Sequence, residues 1–388
     1  MNILMLAPEP FFEPRGTPIS IYFRIQALGE LGHRVTLVTY PIGKDVPLKG
    51  LRIVRPPNLL GMRRIKIGPS LAKLPLDFLL LLRALLEISR HSYDLVFSHE
   101  EAAFFGVWLA RIWGKPHVYD MHSSLPQQLE NFEFTRSPLL VSLFRRMERF
   151  VLRNSDSIIV ICRDLMETVS GMGYGEKALL VENFLDFPSR EYPAEDVSAK
   201  RRELAPGDEK IVLYTGNFGP YQGIPLLLQA AQKIAPGSVF VLVGGSGEPL
   251  RKMKALAGDL GISAKIRFVD RVLPSEIFLY LALADVLVSP RISGTNTPLK
   301  IYACLKSGKP FVATRLWTHT QVLSEQLAVL ADPKADDFAR GIDFALHSPE
   351  AQTQARASKE WAEKEYAPSR YVEKISRVLS LAGRHHSG

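Results

Sequence analysis

Two cysteines in 388 residues, Cys162 and Cys304, exclude a disulfide framework and any multi-cysteine zinc pattern. The chain also lacks a basic leader. Met1–Ala7 runs straight into Pro8-Glu-Pro10 and reads as a first strand, not a signal peptide. Long uncharged apolar runs are missing as well, since the most apolar stretch, Leu74–Glu87, carries Asp77, Arg83 and Glu87. A membrane span needs about 20 nearly uncharged residues. This stretch therefore reads either as a buried helix or as an interfacial one, helped by Arg63, Arg64, Lys66 and Lys73 just before it. The net charge of +8 is spread, +3 up to Phe187 and +5 after it. No basic stripe marks a nucleic-acid binder, whereas an anionic substrate or an anionic lipid surface fits. There is no low-complexity segment, no internal repeat and no Asp-x-Asp pair. These absences leave a cytoplasmic protein, with peripheral attachment to the inner face of the membrane as a further expectation.

What is present is the balance of a globular protein, 46% hydrophobic and 23% charged, at a length typical of two α/β domains. Strand and helix patterns alternate twice over, the signature of doubly wound parallel sheets. The first set reads as strands at 3–7, 32–39, 51–55, 95–98, 117–121 and 157–161, with helices over 19–31, 102–113 and 139–153. The second opens at Lys210–Gly216, followed by a helix from Ile224 and strands at 239–243, 266–269, 286–289 and 311–313. Between the sets, Glu182–Ser189 and a charged, proline-containing stretch to Asp208 read as a linker.

Open parallel sheets bind ligands beyond the carboxyl ends of their strands. The segment Ser289–Thr314 is the most informative such place. It reads as strand end, phosphate-sized loop, short helix starting at Pro298, turn and next strand. Gly294, Thr295, Asn296 and Thr297 lie just before that helix, where free backbone N–H groups and the helix dipole favour an anion. An ordinary strand-loop-helix connection remains the alternative. In the first set, Gly16 in Pro14-Arg-Gly-Thr17 permits close backbone approach to a ligand. Asp120-Met-His-Ser-Ser124 offers His122, which is a site residue or a structural one. Gly244-Gly-Ser-Gly247, with Gly245, lacks the third glycine and the acidic residue of a dinucleotide fingerprint, so a nicotinamide cofactor is not expected.

Taken together, these segments resemble the family 4 retaining glycosyltransferases of GT-B fold over nearly the whole chain. The resemblance rests on Leu31-Gly-His-Arg-Val35, Asp120-Met-His122, Asn183-Phe-Leu-Asp186, Tyr214–Gly223, Val269-Asp-Arg-Val272, Ala284–Pro290 and Ser307-Gly-Lys-Pro310. It implies two Rossmann-like α/β domains facing across a cleft, residues 1–188 on the acceptor side and 189–365 on the donor side. A helix over 366–388 returns to the N-terminal domain, carried by the amphipathic stretch Ser369–Leu381. The implied reaction transfers a hexosyl-type group from a nucleoside diphosphate sugar to a glycan or lipid-linked acceptor with retained anomeric configuration. No metal and no cofactor are implied. On this resemblance His122 lies beside the sugar, Gly16 near the diphosphate, and Arg271 with Val272 at the base.

The departures from the family pattern are equally specific. Where the family has an Arg and a Lys on the diphosphate, this chain has Asn217 and Gln222. Where it has Glu, seven residues, Glu, this chain has Thr295 and Ala303. A charged hydrogen bond contributes about 1.5–3 kcal/mol, so two missing cations need replacement. Lys300 lies three residues before Ala303, on the same helix face. Arg291 and Arg315 each follow a strand end. Lys300, aided by Arg291 or Arg315, is the expected replacement, the alternative being a solvated lysine. Asn296 and Thr297 are candidates for the lost ribose contact. A catalytically silent GT-B subunit that binds a nucleotide or a partner is the second reading, motivated by the same four missing charges. A sugar-nucleotide epimerase is a third. For a membrane-borne acceptor, the basic segment Arg63–Lys73 and the arginines of Arg145–Arg153 fit an anionic surface, or are a solvated helix face.

Overall fold

The structure, a computed structural model, describes residues 1–13, 16–59, 61–62, 65, 73–124, 126, 137–183 and 192–387. It divides into two compact units, Met1–Phe184 with Pro368–Gly388, and Leu185–Ala367.

The first unit is built on a seven-stranded, wholly parallel sheet. Its strands are β1 (Asn2–Ala7), β2 (Arg34–Thr39), β3 (Leu51–Val54), β4 (Leu95–His99), β5 (His117–Met121), β6 (Ser157–Val160) and β7 (Ala178–Leu180), in the order β3-β2-β1-β4-β5-β6-β7. Ile3 to Ala7 are fully buried, as expected of a central strand covered on both faces. Helices α1 (Gly16–Glu30), α2 (Leu74–Arg90), α3 (Ala103–Ile112), α4 (Pro138–Asn154) and α5 (Arg163–Gly171) supply the cover. Helix α1 begins at Gly16, so the loop expected through Pro18 is already its first turn. A proline in a first turn removes only a donor that has no partner there. Strand order reverses between β1 and β4, which puts the crevice of this sheet at Ala7–Glu9 and His99–Glu100.

Helix α2 has one buried and one exposed apolar face. Leu76, Leu80, Ala84 and Ile88 are buried, while Leu74, Phe78, Leu82 and Leu86, four residues apart, form an exposed apolar stripe. Most of the basic segment before it, Arg63, Arg64 and Lys66 included, lies outside the described residues. Lys73 pairs with Glu101 at 3.2 Å.

The second unit carries a six-stranded parallel sheet of β8 (Lys210–Thr215), β9 (Ser238–Val243), β10 (Ile266–Val269), β11 (Val286–Ser289), β12 (Phe311–Thr314) and β13 (Val329–Ala331). The order is β10-β9-β8-β11-β12-β13, with its reversal between β8 and β11. Its helices are α6 (Ala194–Leu204), α7 (Ile224–Lys233), α8 (Gly247–Asp259), α9 (Ile277–Leu283), α10 (Lys300–Lys306), α11 (Trp317–Thr320), α12 (Ala335–His347) and α13 (Pro349–Glu365). Strand alternation feeds two cores. Val212 and Tyr214 pack with Leu227 and Phe338 on one face, Ile211 and Leu213 with Ile301 and Leu305 on the other.

Two expectations are corrected here. The charged stretch read as linker contains α6, tied to the second unit by Arg201, which donates to the Leu283 carbonyl at 2.6 Å and pairs with Asp285 at 2.8 Å. Residues 184–191, with Phe184-Leu-Asp186 of the family-like segment, lie outside the described residues. Helix α10 begins at Lys300, not Pro298, because Pro298 forms a turn closed by the Ile301 N–H to its carbonyl at 3.1 Å. At seven residues α10 is too short for its dipole to carry an anion site, and that role passes to side chains.

The last helix, α14 (Pro368–Ser387), belongs to the first unit. Tyr371, Ile375, Val378, Leu379 and Ala382 make its buried stripe at helical spacing, and Lys374 pairs with Glu182.

Candidate functional site

In the second unit, polar side chains gather where the β8 and β11 ends diverge. Lys300 is the centre. Its Nζ is buried, 3.9 Å from the centroid of the Tyr214 ring, and has no hydrogen-bond partner among the described residues. A Cβ on Gly216, at the end of β8, would stand 3.3 Å from that ammonium. Burial pulls the Lys300 pKa down to about 7, with Cys304 opposing the shift and Arg291 reinforcing it. Among the described residues no carboxylate pairs with Lys300.

Arg291 is the second cation. Its Nη1 donates to the Asn296 carbonyl and to Thr318 Oγ1, both at 2.7 Å, and its guanidinium lies over the Tyr221 ring at 5.1 Å. Its Nε is buried without a partner, as are Thr297 Oγ1 and Gln222 Oε1. Buried polar atoms are nearly always hydrogen-bonded in folded proteins, so four such atoms on one set of loops make this a candidate site for a polar ligand. Close packing fixes these loops. Gly223, at φ +69°, lies so near Pro290 that a Cβ would sit 1.9 Å from its carbonyl oxygen. The Ile292 N–H bonds to the Tyr221 carbonyl at 3.1 Å. Thr318 and Gln321 hold the Asn296 and Thr295 carbonyls at 2.6 and 2.5 Å. His319 bridges Ser289 Oγ and the Thr314 carbonyl, both at 2.9 Å, and burial pulls its pKa to about 3, so it stays neutral.

The other residues expected at the donor are placed as follows. Asn217 caps the loop, its Oδ1 accepting from the Gly219 N–H at 2.9 Å and its Nδ2 donating to the Tyr221 hydroxyl at 3.3 Å. Gly245 faces Phe218, where a Cβ would stand 2.5 Å from the ring. Arg271 is exposed and Val272 packs against the core. Of the two arginines weighed beside Lys300, Arg291 adjoins it. Arg315 is engaged instead with Glu325 and the Leu330 carbonyl. Thr318 and His319 carried no sequence signal, and Tyr214 and Tyr221 stood out only as members of the family-like segment, because their roles come from strand ends that only the fold brings together.

In the first unit the matching crevice holds a network of charge and imidazole. Asp120 and Arg24 are both fully buried, with Arg24 Nε 2.9 Å from Asp120 Oδ2. Arg24 also donates to the Val181 carbonyl at 3.0 Å and to the Tyr371 hydroxyl of α14. Burial alone would raise the Asp120 pKa; Arg24, with His122, instead holds it well below the carboxylate range. His122 Nε2 lies 3.4 Å from Asp120 Oδ1 and 3.4 Å from His99 Nδ1. Burial works against a charged His122, but Asp120 outweighs it and raises the pKa, while burial drops His99 to about 3. Ser123 Oγ donates to Glu100 at 2.9 Å, and burial lifts that carboxyl to about 7. Sequence reasoning named His122 and missed His99, Glu100 and Arg24. Gly16 opens α1 at φ +25°, with no atom within 4 Å of a built Cβ. The ligand atoms of His99, Asp120 and His122 lie within 4.8 Å of one another. Arg24 already meets the one negative charge among them, so a divalent cation would face a fixed guanidinium, and the set suits a neutral hydroxylated ligand better.

Residues 196–364 match the family model described as glycosyl transferases group 1, and residues 24–183 that of the glycosyl transferase 4-like domain. The second unit thus carries a domain of the glycosyl transferases group 1 type, and the first a glycosyl transferase 4-like domain. The chain is 30% identical over 201 residues to the lipopolysaccharide core biosynthesis glycosyltransferase LpsE of Rhizobium meliloti, a match spanning 49% of this chain and only 54% of that relative. Among solved structures, sucrose-phosphate synthase from Thermosynechococcus elongatus superposes with a TM-score of 0.78 at 19% identity, over 98% of both chains. HepE of Anabaena in complex with UDP gives 0.76 at 17% identity, over 98% of this chain and 100% of that one. Identities this low show the fold, GT-B, and not the substrate.

The Arg24–Asp120–Tyr371 network yields a stability prediction. Arg24→Met leaves Asp120 buried and unpaired, so it should lower stability by about 3–5 kcal/mol, and Tyr371→Phe by about 1 kcal/mol. Thermal unfolding of both variants checks this; an Arg24→Met midpoint equal to that of the parent contradicts the reading of Arg24 as Asp120's counter-charge.

Proposed function

We propose that this protein is an active, retaining, metal-independent glycosyltransferase that moves a hexosyl group from a nucleoside diphosphate sugar to a glycan or lipid-linked acceptor. The observation that carries this reading is the buried Lys300 ammonium beside Arg291, two cations with no carboxylate partner at the β8–β11 crevice. In this reading they take the place of the Arg and Lys that Asn217 and Gln222 do not supply. The leaving diphosphate gains charge as the sugar bond breaks, so fixed cations in a dry site stabilise that moment most. UDP is the first nucleotide to test, as HepE of Anabaena was solved with it. In the first unit, His122, held by Asp120 and charged more readily than a free imidazole, donates to the transferred sugar. A silent subunit that binds only a partner protein would have no use for a donor crevice with its cations kept.

The acceptor side is proposed to work at an anionic membrane surface, on the cytoplasmic face. Support comes from two helices of the first unit. The α2 stripe of Leu74, Phe78, Leu82 and Leu86 is exposed, and α4 exposes Leu139, Leu140 and Leu143 ahead of Arg146, Arg149 and Arg153. No described helix is long and apolar enough to cross a membrane. Apolar side chains beside basic ones suit the interface of an anionic bilayer.

Two measurements check these readings. Calorimetric titration with UDP, GDP and ADP should find one tight ligand, and Lys300→Ala should weaken it about tenfold or more, the worth of one charged hydrogen bond. An unchanged dissociation constant removes the relocated grip, and no binding of any nucleotide favours the silent subunit. Co-sedimentation should show binding to phosphatidylglycerol vesicles that falls as salt rises; equal binding to phosphatidylcholine, or none at low salt, contradicts the membrane proposal.

A further inference from the structure

The surroundings of Lys300 raise a question that the donor-site reading leaves open, namely in which protonation state it waits. Its Nζ is buried. On its own helix the neighbour is Cys304, a thiol that burial pushes up to about 12 and that is therefore neutral. From β8 comes the Tyr214 ring, whose hydroxyl donates to the Asn217 carbonyl at 2.7 Å and whose pKa burial also raises. From the loop after β11 comes Arg291, a permanent cation, with the Tyr221 phenol against its far face. From α11 comes His319, neutral and hydrogen-bonded to Ser289 and Thr314. No carboxylate and no acceptor reaches Nζ among the described residues. The one favourable contact for an ammonium is the Tyr214 face, and cation–π attraction of that kind offsets only part of the penalty of burial beside a second cation.

We propose that Lys300 takes up a proton as the donor's diphosphate enters, so that this protein binds its nucleotide sugar together with a hydrogen ion. The inference rests on the reading of Lys300 as the diphosphate grip and adds the regulation of that site by pH. The balance is simple. The empty site holds Lys300 partly as the neutral amine, with its pKa at about 7. A diphosphate brings about two negative charges within reach of Nζ, which favours the ammonium and raises that pKa. The proton comes from solvent and stays on Nζ while the nucleotide is bound. It leaves with the product, since departure of the nucleoside diphosphate restores the empty pocket.

Linkage gives the sign and the window. Between the empty-site pKa and the higher bound-site value, affinity weakens with rising pH, by up to about tenfold per pH unit. Below the empty-site value Lys300 is already charged, and the dependence vanishes. A permanently charged grip of Arg and Lys on the surface would show no such slope.

The test is calorimetry with UDP, GDP and ADP as probes at pH 8, in Tris and in Hepes, two buffers of unequal ionisation enthalpy. Phosphate groups are fully ionised at that pH, so a buffer-dependent heat reports protons taken up by the protein. The expected result is uptake approaching about one proton per nucleotide. Lys300→Arg, charged at every working pH, should bind with no uptake, and Lys300→Met should bind more weakly, also with none. Tight binding to the parent protein with no proton uptake overturns this inference and leaves the donor-site reading standing, as does uptake that persists in Lys300→Arg. Failure of all three nucleotides to bind overturns both.

Discussion

A lysine whose Nζ is buried beside an aromatic ring and an arginine, with no counter-charge among the described residues, is the constraint around which the second unit is arranged. Such a group destabilises a fold unless something stabilises it in return, and in the proposed reading the return is a bound diphosphate. The chain ends that surround it are pinned tightly. Gly223 admits the Pro290 carbonyl where no side chain would fit, and His319 locks Ser289 to Thr314 across the ends of β11 and β12. In the proposed reading, loops held by their own contacts spare the binding free energy of a donor from ordering them.

The first unit handles buried charge in the opposite way. Arg24 and Asp120 neutralise one another at 2.9 Å, and the helix Pro368–Ser387 completes the pair through Tyr371. Here the charge is compensated internally, with His99 and His122 each 3.4 Å from the Asp120 carboxylate. One unit keeps an open electrostatic demand and the other a closed one. That contrast suits a donor whose charge grows during the reaction and an acceptor or sugar presenting neutral hydroxyls.

Much of the fold was legible because parallel strands buried on both faces read as short apolar runs, and all six strands expected in the first unit and all five in the second appear within a residue or two. The short strands Ala178–Leu180 and Val329–Ala331 escaped notice, since three residues give no periodicity. The charged helix Ala194–Leu204 was mistaken for linker because its contacts, Arg201 to Asp285 among them, lie 84 residues away in sequence. Lys300 was legible as a candidate from its spacing to Ala303, but its burial and its place over Tyr214 were not, for they depend on where β8 ends. Arg24 could not have been read at all. An arginine inside an apolar helix signals nothing until Asp120, nearly a hundred residues on, is seen to face it.

The most direct test of the account is a crystal structure of the protein with a bound nucleoside diphosphate. The account predicts diphosphate oxygens at ~2.7–2.9 Å from Lys300 Nζ, with Arg291 turned to the same group. A diphosphate seated against Asn217 and Gln222, with the Lys300 amine still resting on Tyr214 and touching no phosphate, would contradict it.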